Sequence, residues 1–320
     1  MATPLRIVVA GASGFIGRYL VDSFRTDGFQ VTTIGRTDAD ATWGDAAAIA
    51  SLVDGTDVVL NLAGRSVNAR YGAARRAEIL HSRLNTTRQL HAAIERAEKP
   101  PRVWLNASTA TIYRHAFDRP QTESTGELGE GFSVDVARAW EGAFFEGDLP
   151  GTRRVALRMA IVLGHGSALV PLIALARAGF GGPQYDGRWF GTPGRRASGV
   201  YHERRATHGR QMFSWVHVRD VERSIRFLIE HDELDGPVNV VSPHPVDNRT
   251  LMRIIRRAVK MPLGLPLFRW MTELGASAIR TESELLLKSR WVLPERLTEA
   301  GYVFEQPDLD AAVRDIVGTD

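Results

Sequence analysis

The chain of 320 residues carries a formal net charge of +3, and its fractions of hydrophobic (44%) and charged (24%) residues are ordinary for a globular protein. It contains no cysteine, which excludes disulfides, thiol catalysis and thiolate metal sites. No apolar run approaches the ~18 residues needed to span a bilayer, so we expect a soluble, cytoplasmic protein made of one large domain or of one domain and a lobe.

The N-terminal stretch predicts a strand, a tight turn and a helix. A β-branched run at 7–9 precedes Gly11, Gly14 and Gly17, and apolar residues at helical spacing begin with Phe15. In isolation the glycine triplet is a weak signal, because many turns contain glycine. Between a strand and a helix it is typical of a dinucleotide-binding turn, in which the second glycine lets the backbone approach a pyrophosphate and the helix amides face the phosphates.

A second strand is predicted at 30–34, ending at Gly35 and Arg36. In dinucleotide folds this strand end faces the adenosine ribose, where an acid suits the 2′-hydroxyl of NAD and an arginine suits the 2′-phosphate of NADP. Arg36 stands where the acid is missing, which favours NADP(H). The alternative is a solvated arginine in a turn.

Strands and helices then alternate along the chain. The predicted segments are a helix at 45–54, a strand at 57–64, a helix at 73–98, a strand at 102–109, a flexible loop at 118–131, a helix at 132–146, a strand at 154–162 and a helix at 168–178. Beyond 179 the predictions are a strand at 213–218, a helix at 221–230, a strand at 237–242, a helix at 247–259, a linker at 262–266 and a helical tail.

This alternation predicts an α/β fold, a Rossmann-type doubly wound parallel sheet with a smaller C-terminal α/β lobe and a helical tail. We expect a cofactor domain at 1–178, to which strand 213–218 and helix 221–230 return, and a substrate lobe at 179–320.

The basic charge is local. Residues 187–210 hold six arginines and one acid, a net charge of +5, so the rest of the chain carries about −2. Such a segment can meet phosphates, nucleic acid or an acidic partner. Its five glycines and lack of helical period favour a solvated loop.

Four motifs in order resemble those of the extended short-chain dehydrogenase/reductases. They are Gly-x-x-Gly-x-x-Gly at 11–17, Asn-Leu-Ala-Gly at 61–64, Ala-Ser-Thr-Ala-x-Ile-Tyr at 107–113 and Trp-Val-His-Val-Arg-Asp at 215–220. More narrowly, Leu-Arg-x-x-x-Val-Leu-Gly at 157–164 and the tail motif at 289–302 resemble the YfcH-like epimerase family. The resemblance covers nearly the whole chain.

The resemblance implies a set of residues that contact NADP(H). These are Gly11, Gly14, Phe15, Ile16 and Gly17 at the pyrophosphate, Gly35 and Arg36 at the 2′-phosphate, Leu62 and Ala63 beside the adenosine, Glu78 and Arg83 on the long helix, and Ile161 and Val162 near the nicotinamide. From the residues alone, Arg83 could equally pair with Glu78 on the helix face. His217 is expected to be a packing residue and Asp220 a helix cap.

The acid/base pair of that superfamily is absent. It is a tyrosine followed four residues later by a lysine, which lowers the phenol pKa. The three lysines, Lys99, Lys260 and Lys288, have no tyrosine four residues before them. At the expected place in the helix stand Ser133 and Ala137.

Three residues are candidates for a partial replacement. Thr109 ends the fourth strand where the superfamily has a serine, Tyr113 follows it, and Asp135 lies on the substrate-side helix as an alternative proton acceptor. Tyr201 beside Arg205 in the basic segment is a weaker candidate.

Two functions remain open. The first is an NADP(H)-dependent oxidoreductase or epimerase acting on a carbonyl, alcohol or nucleotide-sugar substrate. The second is a non-catalytic NADP(H)-binding module that acts through a protein partner. We expect a small-molecule substrate, a homodimer formed through the long helices, no metal, no nucleic acid and no membrane among its ligands.

Overall fold

A computed structural model describes residues 4–67, 72–187, 190, 193–197, 206–278 and 288–318. The strands are β1 (Arg6–Ala10), β2 (Gln30–Gly35), β3 (Ala41–Thr42), β4 (Val58–Asn61), β5 (Val103–Thr109), β6 (Arg153–Met159), β7 (Ile161–Leu163), β8 (Met212–Phe213), β9 (Trp215–His217), β10 (Gly236–Val240) and β11 (Val246–Asp247). The helices are α1 (Phe15–Thr26), α2 (Ala46–Val53), α3 (Ala73–Arg96), α4 (Phe132–Phe145), α5 (Val170–Arg177), α6 (Pro193–Ala197), α7 (Val218–Glu230), α8 (Asn248–Ala258), α9 (Arg269–Ala278), α10 (Glu295–Glu299) and α11 (Leu309–Val317).

Seven strands form one parallel sheet in the order β10-β6-β5-β4-β1-β2-β3. Its central strands are apolar runs because helices cover both faces. In β1, Ile7 and Val9 enter the core on one face, with α1 and α7, while Val8 and Ala10 enter the core on the other, with α2 and α3. The Rossmann-type doubly wound fold is therefore confirmed.

The strand order reverses between β1 and β4. A crevice opens outside the carboxyl ends of the strands at such a point, and open α/β sheets bind ligands there. The ends of β1, β2, β4 and β5 carry residues singled out from the sequence, and Ile161 and Val162 lie in β7, which follows β6.

The sequence predicted that strand 213–218 and helix 221–230 return to the cofactor domain. Residues 215–217 pair with β7 in a two-stranded sheet that is separate from the seven-stranded one. The seventh strand of the main sheet is β10, which pairs with β6. The predicted helix 221–230 does pack on the sheet, through Val221, Ile225 and Leu228, but it begins three residues earlier, at Val218.

The loop at 118–131, predicted to be flexible, is tied to its surroundings. Arg114 forms ion pairs with Asp118 and Glu127. Gln121 is fully buried, and the backbone N–H of Gln121 donates to the Trp291 carbonyl at 2.7 Å. Polar composition misled the prediction, because these polar groups bind other parts of the chain.

Half of the basic segment lies outside the described residues, and the described half includes the short helix α6. Arg188, Tyr201, Arg204 and Arg205 belong to the part of 187–210 that the structure does not describe. The predictions for Tyr201 and Arg205 therefore stay predictions.

Candidate functional site

The turn after β1 is packed against the end of β4. Gly11 has φ +85°, and a Cβ there would lie 2.8 Å from the Leu62 carbonyl carbon. A Cβ at Gly17 would overlap the Gly11 carbonyl oxygen. Both glycines are needed by the fold itself, because α1 and the β4 end approach the turn without room for a side chain.

Gly14 differs from the other two glycines. It is exposed, has an ordinary φ of −74°, and a Cβ there would meet only the Gly11 carbonyl oxygen, at 3.4 Å. It caps α1 without a side-chain hydrogen bond. The first amides of an α-helix have no intrahelical acceptor, so the amides of Phe15, Ile16 and Gly17 begin a helix that opens at the sheet's ligand edge.

The end of β2 lies beside this turn, since the Gly11 N–H donates to the Ile34 carbonyl at 3.0 Å. Gly35 ends the strand, and Arg36 is exposed without a hydrogen bond or ion pair to another described residue. Two acids follow it, Asp38, which is exposed, and Asp40, whose carboxylate accepts from the Thr33 backbone N–H and hydroxyl, both at 2.8 Å. The hydroxyl bond holds the pKa of Asp40 below its usual value.

Small residues follow β4. The Leu62 N–H donates to the Ala10 carbonyl and the Ala63 N–H donates to the Asn61 side chain, so this strand end is fixed against β1. The Asn61 amide in turn donates to Asn106 Oδ1 at 2.7 Å, inside the core.

Arg83 of α3 lies over the next residue, Gly64. Its guanidinium donates to the carbonyls of Ile79 and Arg65, each at 3.0 Å, and lies 4.9 Å from the Trp140 ring centroid. A cation over an aromatic face in this range is stabilising. Arg83 thus joins α3, α4 and the segment after β4.

Glu78 is exposed and pairs with two other arginines. Its carboxylate lies 2.7 Å from Arg75 and 3.5 Å from Arg65. The sequence left open a pair of Glu78 with Arg83 on the helix face. In the structure Glu78 pairs with Arg75 and Arg65 instead.

Strand β7 follows β6 and carries the two residues predicted to lie near the nicotinamide. Ile161 and Val162 are half-buried, and β7 is held by β9. A Cβ at Gly164 would lie 2.9 Å from the Phe15 ring, so the first residue of α1 packs against the residue after β7. This contact joins the glycine turn to the predicted nicotinamide side.

Thr109 ends β5 at the same edge and is half-buried. Its hydroxyl donates to Thr111 Oγ1 at 2.9 Å and accepts from the Thr111 N–H. Thr111 was not singled out from the sequence. The signal that could have identified it is a second hydroxyl residue two positions after Thr109. Asp135 is exposed in the first turn of α4, so its carboxylate is solvated.

Tyr113 lies in the core, with 2% of its surface exposed. Its hydroxyl donates to Asn239 Oδ1 at 3.0 Å and accepts from Arg158 Nη1 at 2.9 Å. Burial raises the pKa of this phenol. A buried hydroxyl with two partners argues against the predicted catalytic role. These partners could not be predicted from the sequence, because they lie on strands that are distant from Tyr113 along the chain.

Arg158 also forms a buried bidentate pair with Glu141, at 2.9 and 2.7 Å. Glu141 accepts from the Ser108 hydroxyl at 2.5 Å. Although burial opposes its charge, the paired Glu141 raises the pKa of Arg158. A charged residue inside an apolar strand was the sequence signal for this cluster, which lies next to Thr109 in the chain.

Ser133 and Ala137 occupy the two positions of α4 where the superfamily's tyrosine and lysine are expected. Ser133 is half-buried, and Ala137 is fully buried among Ala110, Ile112 and Val241. A lysine at 137 would bring an ammonium into this apolar cluster.

Within the described ranges, no three His, Asp or Glu side chains are grouped to hold a metal ion. Among the same residues, no helix is long and apolar enough to cross a membrane.

Comparison with known proteins matches residues 7–131 to the NAD dependent epimerase/dehydratase family and residues 269–316 to a domain of unknown function, DUF1731. The epimerase family protein SDR39U1 of Bos taurus is 30% identical over 323 residues, covering 98% of this chain and 100% of that protein. The epimerase family protein YfhF of Bacillus subtilis is 28% identical, covering 98% of both chains.

Among solved structures, that of human SDR39U1 (isoform 2) with NADPH superimposes with a TM-score of 0.82 at 26% identity. The match covers 99% of this chain and 100% of that one. The likeness thus extends from the glycine turn through the tail.

Proposed function

Because this chain belongs to the NAD-dependent epimerase/dehydratase family, we propose that it is an NADP(H)-dependent oxidoreductase or epimerase acting on a carbonyl, alcohol or nucleotide-sugar substrate. The observation that carries the proposal is Gly14, which is exposed at the start of α1 beside the β1–β4 crevice. Human SDR39U1, with the same fold, was crystallised with NADPH.

The residues of the edge fit this cofactor. The amides of Phe15, Ile16 and Gly17 suit a diphosphate, and Leu62 and Ala63 leave space for a flat base. Arg36 suits a 2′-phosphate, because the Asp40 carboxylate is hydrogen-bonded to Thr33 and does not pair with the Arg36 guanidinium. Arg83 and Glu78 fix the segment after β4, which is their proposed part in binding.

When bound, NADP(H) supplies or accepts a hydride. Ile161 and Val162 would border its nicotinamide, and Thr109 at the end of β5 would hydrogen-bond the substrate oxygen. Thr111 shares a hydrogen bond with Thr109 and so orients that hydroxyl. Asp135 is the proposed proton acceptor, and for Tyr113 we propose a packing role.

We propose that residues 1–178, together with α7 and β10, form the cofactor domain, and that the remainder of 179–320 forms the substrate lobe. The partner set is a small-molecule substrate and a second copy of the chain, paired through the long α3 helices.

The test is NADPH consumption and isotope exchange at the nicotinamide C4 on a panel of carbonyl compounds and nucleotide sugars. Thr109→Ala should lower turnover on the order of 100-fold with unchanged NADPH affinity, while Thr109→Ser should keep most of the activity. Turnover unaffected by Thr109→Ala would contradict the role given to this hydroxyl.

A second function, the non-catalytic NADP(H)-binding module, is favoured by Ala137. This fully buried alanine stands where the acid/base lysine is expected. In that case NADPH binds without isotope exchange on any substrate, and its occupancy controls capture of a protein partner. Deleting 188–210 would then abolish the capture and leave NADPH affinity unchanged.

A further inference from the structure

Four large apolar side chains are exposed within eight residues between α8 and the start of α9. The exposed fractions are 76% for Leu263, 60% for Leu265, 48% for Phe268 and 50% for Trp270. We call these four side chains the 263–270 patch. Single exposed apolar residues are common, whereas several together mark an interaction surface.

The backbone that carries the patch is held in place. The Leu265 N–H donates to the Gly179 carbonyl, and the Leu265 carbonyl accepts from the Gly182 N–H, at 2.9 and 3.1 Å. Leu267 is buried, and its N–H donates to the Pro183 carbonyl at 3.0 Å. The patch is therefore presented outward by a segment with fixed hydrogen bonds.

Cations lie directly before the patch. Helix α8 buries Leu251, Met252 and Ile255 in the core. Its other side and its C-terminal end carry the α8 cations: Arg249, Arg253, Arg256, Arg257 and Lys260.

The α8 cations and the patch are adjacent along the chain and in space. The Arg256 guanidinium packs against the backbone of Gly264, between Leu263 and Leu265. The Lys260 N–H donates to the Arg257 carbonyl and the Met261 N–H donates to the Arg256 carbonyl, so the last turn of α8 leads straight into the patch.

The positive charge is not balanced locally. Residues 249–260 hold five cations and no acid in the sequence. Arg269, in the segment that carries the patch, is buried and paired with Glu273. Within the described part of the chain, no carboxylate lies at ion-pair distance from any of the α8 cations. Arg249 and Arg253 donate to neutral oxygens, of His208 and Thr250.

We propose that the 263–270 patch and the α8 cations dock on an anionic lipid surface. Leucine, phenylalanine and tryptophan suit the boundary between headgroups and acyl chains, and arginine and lysine suit the lipid phosphates. An acidic protein would satisfy the charges but not the leucines of the patch, which makes a lipid surface the better complement. This docking revises the expectation that no membrane is a partner, and it does not depend on the proposed enzymatic function.

The test is flotation of the full chain with vesicles of phosphatidylcholine alone, or with about one third phosphatidylglycerol. The protein should float with the anionic vesicles only, with a blue-shifted tryptophan emission, and should be released as salt rises to about 0.5 M. Arg253→Glu with Arg257→Glu should weaken binding on the order of 30-fold or more, and Leu263→Ser with Leu265→Ser about tenfold.

The matched control is Lys99→Glu with Arg102→Glu, which makes the same change in net charge on exposed positions between α3 and β5. It should leave vesicle binding unchanged, and all variants should keep the thermal unfolding midpoint and NADPH affinity of the parent. Equal binding by the two double charge variants would overturn the proposal, as would no binding to anionic vesicles. A dimer in light scattering that Leu263→Ser with Leu265→Ser converts to a monomer, without vesicle binding, would assign the patch to a second copy instead.

Discussion

At Tyr113 one hydroxyl connects three parts of the fold. It binds Asn239 of β10 and Arg158 of β6, and Arg158 is paired with Glu141 of α4. Buried polar groups of this kind are costly when one partner is removed, because the others lose their hydrogen bonds without access to water.

Tyr113→Phe is therefore expected to lower the free energy of unfolding by about 1–3 kcal/mol. The ring shape is kept, but Arg158 Nη1 and Asn239 Oδ1 lose a partner. NADPH affinity and any turnover per folded molecule should stay the same. Denaturant unfolding and an activity assay check both points, and a loss of turnover with unchanged stability would restore the catalytic role expected from the sequence.

Which residues touch the edge of the sheet was predictable, whereas their pairings were not. Gly11, Leu62 and Thr109 follow strands that are evident from their apolar runs, and parallel strands end at one edge. The bidentate pair of Arg158 with Glu141 joins residues 17 positions apart on different elements. Local patterns carry no information about such a contact.

Two glycines at the start of α1 allow effects on stability to be measured separately from effects on NADPH affinity. Gly17→Ala should destabilise the chain by about 1–3 kcal/mol, because the new Cβ overlaps the Gly11 carbonyl. Gly14→Ala should keep the stability, since its Cβ has room, yet lower NADPH affinity on the order of tenfold, because the methyl group stands where the pyrophosphate approaches. Thermal unfolding and calorimetry measure the two effects, and unchanged affinity in the folded Gly14→Ala variant would contradict the assigned pyrophosphate position.

Among the elements, the regular alternation up to α5 was predictable and the later strands were not. Strands β1, β4, β5 and β6 have apolar runs that only a buried sheet explains, whereas the two-residue strand β3 was not predicted. Residues 213–218 have the same composition, but Trp215, Val216 and His217 pair with β7 and lie beyond the main sheet. Short strands give no sequence signal for the partner they choose.

At the scale of the whole molecule, the tail is fastened to α7. Asp220 is fully buried, and its carboxylate accepts from the N–H groups of Glu305 and Gln306 at 2.7 and 2.9 Å and from the Tyr302 hydroxyl at 3.2 Å. The helix cap expected at Asp220 is provided by His217 instead, whose Nδ1 accepts from the Arg219 N–H. The tail is thereby attached to α7.

Because His217 is buried at the start of α7, where the tail is attached, we expect the free energy of unfolding to depend on pH. Burial lowers the pKa of His217, although Asp315 lies 3.7 Å from Nε2. As pH falls below about 6.5, the unfolded chain takes up a proton that the folded chain does not. The free energy of unfolding should therefore fall as the pH decreases below about 6.5.

The matched variant is His217→Asn, which keeps a helix-capping side chain but does not titrate. Its stability should depend less on pH over that interval than the parent's, whatever its stability at neutral pH. Denaturant unfolding at several pH values measures the difference, and parallel pH profiles would refute the role of His217.

The central claim is that the edge formed by the glycine turn and Arg36 binds the phosphorylated coenzyme. Titration calorimetry of the parent chain and of Arg36→Ala with NADPH and NADH tests it most directly. We predict that the parent binds NADPH tighter than NADH by about tenfold or more, and that Arg36→Ala removes most of this difference. No heat with either coenzyme, or equal affinities for both in the parent, would contradict the account.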